Sequence, residues 1–378
     1  MSIEEVEERL NRWLYMLISI EGADLHIKSN SPLYARLKSD IVQLSKEVSD
    51  DKLLKELVVF LTHDSYEAFD RKKEYDGAYK LDEQYRFRFN IFQHINGVSI
   101  AFRLIPDKIR TLEELNLPLA LKKLVDLRRG LILVTGTTGS GKTTTLATLI
   151  EMINQKHPRH IITIEDPVEY VFKDKKSIVE QRELGINTYS FDTALRAALR
   201  EDPDIIMVGE IRDTATAESI VQAVNTGHLV FSTVHTLNAQ ETIDRVIGLF
   251  PAREQNRVRQ VIASTLEATI SQRLVEGADG NMIPAVEMMF KTPLVQELIR
   301  SKRDTELPDA IAKEGIMYDS VLFDRALFDL TLNEKITEDQ AYEYASSPAD
   351  LKLMFTLSNE YAAKKHAKKE EDIEFKCE

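Results

Sequence analysis

Nine residues beginning at Gly136, Gly-Thr-Thr-Gly-Ser-Gly-Lys-Thr-Thr, constrain this chain more than any other stretch. Their first eight positions fit G-x-x-x-x-G-K-[ST], with an apolar run at 131–135 before them and a helical pattern after them. Gly136, Gly139 and Gly141 let the backbone wrap an anion, so that the N–H groups between Gly136 and Thr144, those of Thr137, Thr138 and Ser140 among them, point inward. Lys142 adds a mobile positive charge for the β- and γ-phosphates, and the Thr143 hydroxyl is placed to ligate Mg2+. The start of the following helix adds favourable potential for the same anion. A loop of this kind binds a nucleotide and implies ATP and Mg2+.

Such a loop belongs at the carboxyl edge of a parallel sheet, and the flanking sequence agrees. Apolar runs at 131–135, 161–164, 205–208 and 229–233 alternate with helical patterns at 142–154, 191–199, 214–225 and 238–248. That alternation predicts an α/β fold with a mainly parallel sheet covered on both faces. Residues from about 252 onward read as mostly helical, with a hairpin expected near 271–290.

Hydrolysis also needs a group that orients or activates water. Two apolar runs end in carboxylates: the first in Glu165, Asp166 and Glu169, the second in Glu210, with Arg212 and Asp213 beyond it. Strand ends of this kind emerge where ligands bind in open α/β folds. Either could instead cap a helix; two beside a phosphate loop favour catalytic carboxylates. Gly209 stands where such a strand often carries Asp, which leaves magnesium contact to Thr143, with Glu210 acting directly or through water. His228 and His235 bracket the strand at 229–233. Each alone reads as a structural histidine, but His235 sits at the carboxyl end, where it could sense a γ-phosphate by hydrogen bonding.

The first hundred residues read differently, as a mixed α+β region. A helix at about 3–20 leads to short β-like segments at 25–28 and 33–37, and helical periodicity returns at 51–71. Residues 85–92 alternate strictly and predict a half-buried strand, with Asn96-Gly97 as the two-residue turn into a second strand at 98–104. In that register Ile95 pairs with Val98 and Asn90 lies opposite Arg103. Arg86, Arg88 and Arg103 then share one face, either as a solvated face with surface ion pairs or as arginines that reach a phosphate of another subunit.

Composition narrows the class. The formal net charge of −13 argues against a surface that grips nucleic acid, and no aromatic–basic platform is evident. A P-loop nucleic-acid translocase is therefore the weaker alternative. The one cysteine, Cys377, excludes an internal disulfide and a cysteine-built zinc site. No run reaches the length of a membrane span, and the acidic start is unlike a secretory signal, so a cytoplasmic chain is expected.

Residues 22–26, the phosphate loop and residues 163–169, 200–213 and 226–235 together resemble the type IV pilus retraction ATPases, the PilT/PilU-like branch of the secretion and pilus P-loop ATPases. The last three stretches look like that family's Asp box, Walker B region and His box. The resemblance implies a PAS-like α+β domain (1–105), a linker (106–116), a RecA-like core (117–290), a helical C-terminal region (291–361) and a charged tail (362–378). It implies a homo-hexamer with nucleotide between the two domains of each subunit, Glu169 as general base and Glu210 in the Walker B role. Arg88 and Arg103 would then meet the nucleotide of the next subunit. Implied partners are a paralogous retraction ATPase and an inner-membrane pilus platform protein, with no nucleic acid, and pilus retraction (twitching motility) is the implied output. Residues 292–300 keep the Leu-Ile-Arg end of the retraction motif A-I-R-N-L-I-R-E but not its beginning, and look closer to the accessory PilU type. Pilus-assembly and type II secretion ATPases share the core motifs, but usually carry a further N-terminal domain and often a four-cysteine zinc insertion.

Overall fold

Strands with apolar residues on both faces need cover on both faces, and that requirement organises most of this chain. The computed structural model describes residues 2–37, 40–82, 84–105, 108–358 and 361. The linker residues Pro106 and Asp107, and the tail at 362–378 with Cys377, lie outside the described residues. The chain divides into two compact units, one running to Lys108 and taking in Glu169–Val171, the other beginning at Ile109.

The first unit is a six-stranded antiparallel sheet with helices on one face. Its elements are α1 (Ile3–Ser19), β1 (Asp24–Lys28), β2 (Ser31–Leu37), β3 (Asp40–Ser49), α2 (Asp51–Thr62), α3 (Tyr66–Lys72), β4 (Glu74–Lys80), β5 (Arg86–His94) and β6 (Gly97–Ile105). The strand order is β3-β2-β1-β6-β5-β4. Ser2 and Glu5 form a capping box that starts α1, and Asp50 caps α2. The alternation in β5 and β6 sends Phe87, Phe89, Ile91, Ile100 and Phe102 into one core with Trp13 and Leu57.

The hairpin forms, but two residues out of the expected register. His94 pairs with Gly97, so Ile95 and Asn96 make the turn and Arg88, not Asn90, stands opposite Arg103. Only Gly97 takes a positive φ, +124°, at this turn, so Asn96-Gly97 is not the primed turn that the dipeptide favours. Gly97 instead opens β6, where the Val98 N–H donates to Ser29 Oγ at 3.0 Å. A two-residue slip keeps the side-chain parity, so Arg86, Arg88 and Arg103 still share a face.

Three strands carry no apolar run and escape a pattern reading. In β3, Ile41 and Val48 are exposed, and the strand is tied down by Glu47, which accepts from Trp13 Nε1 at 3.1 Å and pairs with Arg9. β4 and β9 (Ile178–Glu183) are edge strands with mostly half-exposed side chains.

The second unit holds a seven-stranded sheet in the order β13-β12-β7-β11-β10-β8-β9. Its strands are β7 (Gly130–Thr135), β8 (His160–Glu165), β9, β10 (Ile205–Val208), β11 (Leu229–Val234), β12 (Leu266–Glu276) and β13 (Met282–Phe290). All pair in parallel except β12 with β13, the hairpin expected near 271–290. The covering helices are α4 (Lys142–Lys156), α5 (Phe191–Ala198), α6 (Thr214–Asn225), α7 (Ala239–Gly248) and α8 (Ala252–Thr265). Then follow α9 (Pro293–Arg300), α10 (Leu307–Tyr318), α11 (Phe323–Leu332), α12 (Glu338–Tyr344) and α13 (Pro348–Leu357). Phe323, Leu327, Phe328 and Phe355 build a separate small core against Val275 and Ile283 of the hairpin.

A buried ion pair fastens α8 to the segment after α9. Arg259 Nη1 lies 2.7 and 2.6 Å from the two oxygens of Asp304 and donates to Ile299 O at 3.0 Å. Burial raises the Asp304 pKa despite the guanidinium, so desolvation outweighs attraction there. Asp304→Leu should therefore cost about 3–5 kcal/mol by leaving a buried charge alone. Pairing it with Arg259→Met should recover most of that loss in calorimetric unfolding.

Candidate nucleotide site

The parallel register sets the site. Thr135 pairs with Val234, Ser232 with Val208, and Val208 with Ile164, so the carboxyl ends of β7, β11, β10 and β8 line one edge. The phosphate loop leaves β7 at that edge and runs straight into α4. Gly141 is the N-cap of α4 at φ +87°, a left-handed conformation that a side chain would strain. Lys142 is buried, and its Nζ donates to Gly136 O at 2.9 Å and Thr137 O at 2.8 Å. Ser140 Oγ is buried with no hydrogen-bond partner among the described residues, a spare donor inside the loop of the kind an anion would use.

The next strand braces this loop from below. Gln272 of β12 is buried and accepts from Thr145 Oγ1 of α4 at 2.8 Å. A Cβ on Gly141 would come within 2.7 Å of its Nε2. Its neighbour Ser271 accepts from Thr135 Oγ1 at 3.0 Å. Sequence reading missed Gln272, because nothing in a glutamine on an apolar strand announces what lies above it.

Glu210 is the centre of the acidic edge. Its side chain is 14% exposed, it pairs with Arg212, and Oε2 lies 3.2 Å from His235 Nε2. A carboxylate only accepts, so the ring presents Nε2–H to it. Burial lowers the His235 pKa, and the charges of Lys142 and Arg212 lower it further, so the ring is neutral at neutral pH. Arg212 also reaches Asp166, Nη1 to Oδ2 at 3.0 Å, and so joins the two acidic strand ends. Arg212 was legible only as the charge two residues beyond Glu210.

Glu165 is held inward, accepting at Oε1 from Thr163 Oγ1 at 2.6 Å and Gln181 Nε2 at 3.1 Å. His228 lies at the opposite end of β11, where Nδ1 is 3.0 Å from Ala223 O. The second unit thus brings Lys142, Thr143, Glu165, Glu210 and His235 to one edge. Glu169, Arg88 and Arg103 belong to the first unit. There Arg103 Nε donates to Asp24 Oδ1 at 2.7 Å, and Arg36 Nε lies 3.4 Å from Asp24 Oδ2. Among the described residues, no ion-pair partner reaches Arg88.

A family model described as Type II/IV secretion system protein matches residues 2–300. The chain belongs to that family. It is 41% identical over 295 residues to the type IV pilus retraction ATPase PilT of Pseudomonas aeruginosa, covering 78% of this chain and 86% of PilT. It is 36% identical over 349 residues to the type IV pilus ATPase PilU of the same organism, covering 92% of this chain and 91% of PilU. The crystal structure of the pilus retraction motor PilT with bound ADP superposes with a TM-score of 0.83 at 37% identity, covering 90% of this chain and 97% of that one. The chain is accordingly a P-loop ATPase of this secretion family, with an N-terminal domain, a RecA-like core and a helical C-terminal region.

Two measurements check the geometry. Gln272→Ala leaves the Thr145 hydroxyl without its partner, at a cost of about 1–3 kcal/mol, and should weaken ADP binding in calorimetric titration. His235 should titrate below the ordinary histidine value of about 6.5 in an NMR pH series. The unfolded chain then binds more protons between the folded pKa and 6.5, so this residue's contribution to stability is complete above that window and is lost as pH falls through it.

Proposed function

We propose that this ATPase is a motor of type IV pilus retraction that works as a homo-hexamer on the cytoplasmic side of the inner membrane. One observation carries the mechanical part of this reading. Arg212 bridges Glu210 to Asp166, and three residues further on the chain passes into the first unit at Glu169–Val171. A change of charge at the phosphate edge therefore has a short covalent and ionic route to the other unit. The likeness to PilT and PilU along most of the chain supports pilus retraction as the output.

The roles follow from the chemistry. Lys142 holds the β- and γ-phosphates, together with the N–H groups of Gly136 to Thr144. The Thr143 hydroxyl, with Glu210 directly or through water, holds Mg2+, for which hard oxygen donors suit. Bound there, the ion would neutralise charge on the phosphate oxygens. Glu169 acts as the general base that takes a proton from the attacking water. Glu165 keeps the end of β8 in place. Neutral His235 has a single N–H, which it gives to Glu210 here and would turn toward the γ-phosphate when nucleotide binds. Arg88 and Arg103 reach the nucleotide of the neighbouring subunit, where a guanidinium in trans stabilises transition-state charge. An inner-membrane platform protein receives the motion, with no nucleic acid involved.

The accessory reading, in which a paralogous motor supplies most of the force, is favoured by one fact. The likeness to PilU extends over 349 residues, whereas that to PilT covers 295.

Deletion of the gene should leave excess surface pili and abolish twitching, with rescue by the wild type and not by Lys142→Ala. Rescue by Lys142→Ala would mark an accessory subunit whose own hydrolysis is dispensable. Loss of pili would overturn retraction in favour of assembly.

A further inference from the structure

Glu287, on β13, is buried and has no place in the chemistry above. Its carboxylate accepts from the N–H of Ala239 at 2.8 Å and from the N–H of Phe323. These are the first residues of α7 and α11, so one carboxylate closes the amino ends of two helices. The N–H groups left without an intrahelical partner and the positive ends of those helices make a buried anion tolerable there. Arg273 adds a favourable charge and Asp324 an unfavourable one, while burial itself pushes the Glu287 pKa up.

α7 begins four residues after His235, and the intervening loop is locked to its first turn. The Leu237 N–H donates to Glu241 Oε2 at 2.8 Å, Asn238 Oδ1 accepts from the Glu241 N–H at 2.8 Å, and the Thr236 and Thr242 hydroxyls are 2.8 Å apart. The loop therefore has little freedom relative to α7. What fixes that first turn against the sheet also fixes the base of the loop that carries His235. Ala239 is itself buried, so water does not replace the bond to Glu287.

We propose that Glu287 is a positioning residue for hydrolysis, holding His235 against Glu210 through the first turn of α7. The proposal rests on the reading of His235 given above. Small displacements of a catalytic group are costly, because orientation supplies much of the rate.

The test is steady-state ATPase activity of the full-length assembled protein, with thermal unfolding alongside. Glu287→Gln should lower kcat on the order of 10-fold with KM for ATP little changed. Ala239→Pro removes the donor instead of the acceptor. Proline is tolerated at the first position of a helix, and Asn238 already has the extended conformation that a following proline prefers. It should reproduce the loss, and it decides the matter if Glu287→Gln fails to fold.

The decisive arm is the double variant. In a His235→Ala background, Glu287→Gln should cost nothing further, because the group it positions is gone. Multiplying losses, or wild-type kcat in folded Glu287→Gln and Ala239→Pro, would overturn the proposal. If His235→Ala itself runs at the wild-type rate, the role given to His235 fails and the route through it fails too. If His235→Ala is slow and Glu287→Gln is not, only the positioning role fails.

Discussion

Everything at the phosphate edge depends on four strands ending together. β7, β11, β10 and β8 pair in parallel with no slip between them, so the loop, His235, Glu210 and Glu165 leave the sheet at one level. An antiparallel neighbour in that set would send its carboxylate to the far side. The crossover helices enforce this arrangement, since parallel strands need covered connections. The single reversal, β12 to β13, falls outside the set. β12 itself runs parallel to β7 and places Ser271 and Gln272 beneath the loop.

The same edge is organised by charge. Glu210, Arg212 and Asp166 form one chain of alternating sign, with a neutral His235 at its end. Lowering the His235 pKa keeps a second positive charge away from Lys142, which leaves the lysine as the dominant cation of the loop. A protonated ring would compete for Glu210 and disturb its link to Arg212.

Much of this was readable because it is dictated locally. The four buried strands are mainly apolar runs, interrupted by Thr163 in β8 and by Ser232 and Thr233 in β11, and the loop needs its glycines and lysine in fixed order. Three of the edge strands were not readable: β4 and β9 leave most of their side chains at least partly exposed, and β3 exposes Ile41 and Val48 and is pinned by Glu47. The hairpin register was misplaced for a similar reason. Asn96-Gly97 prescribes a turn on its own, but Ser29, in the turn after β1 and far off in sequence, claims the Val98 N–H. Gln272 and Glu287 were silent too, since their partners are brought in only by the folded sheet. What local sequence dictates could be read, and what long-range contact dictates could not.

Asp24 is shared by two guanidinium groups, Arg103 on both oxygens and Arg36 on Oδ2. Its side chain is only 7% exposed, so stranding it would be costly. With two partners, it keeps one when the other departs. Arg103 is mostly exposed and can leave for a different anion while Arg36 stays behind as chaperone to the carboxylate. Such an arrangement would let one arginine come and go without stranding the carboxylate, as a latch does and a brace does not.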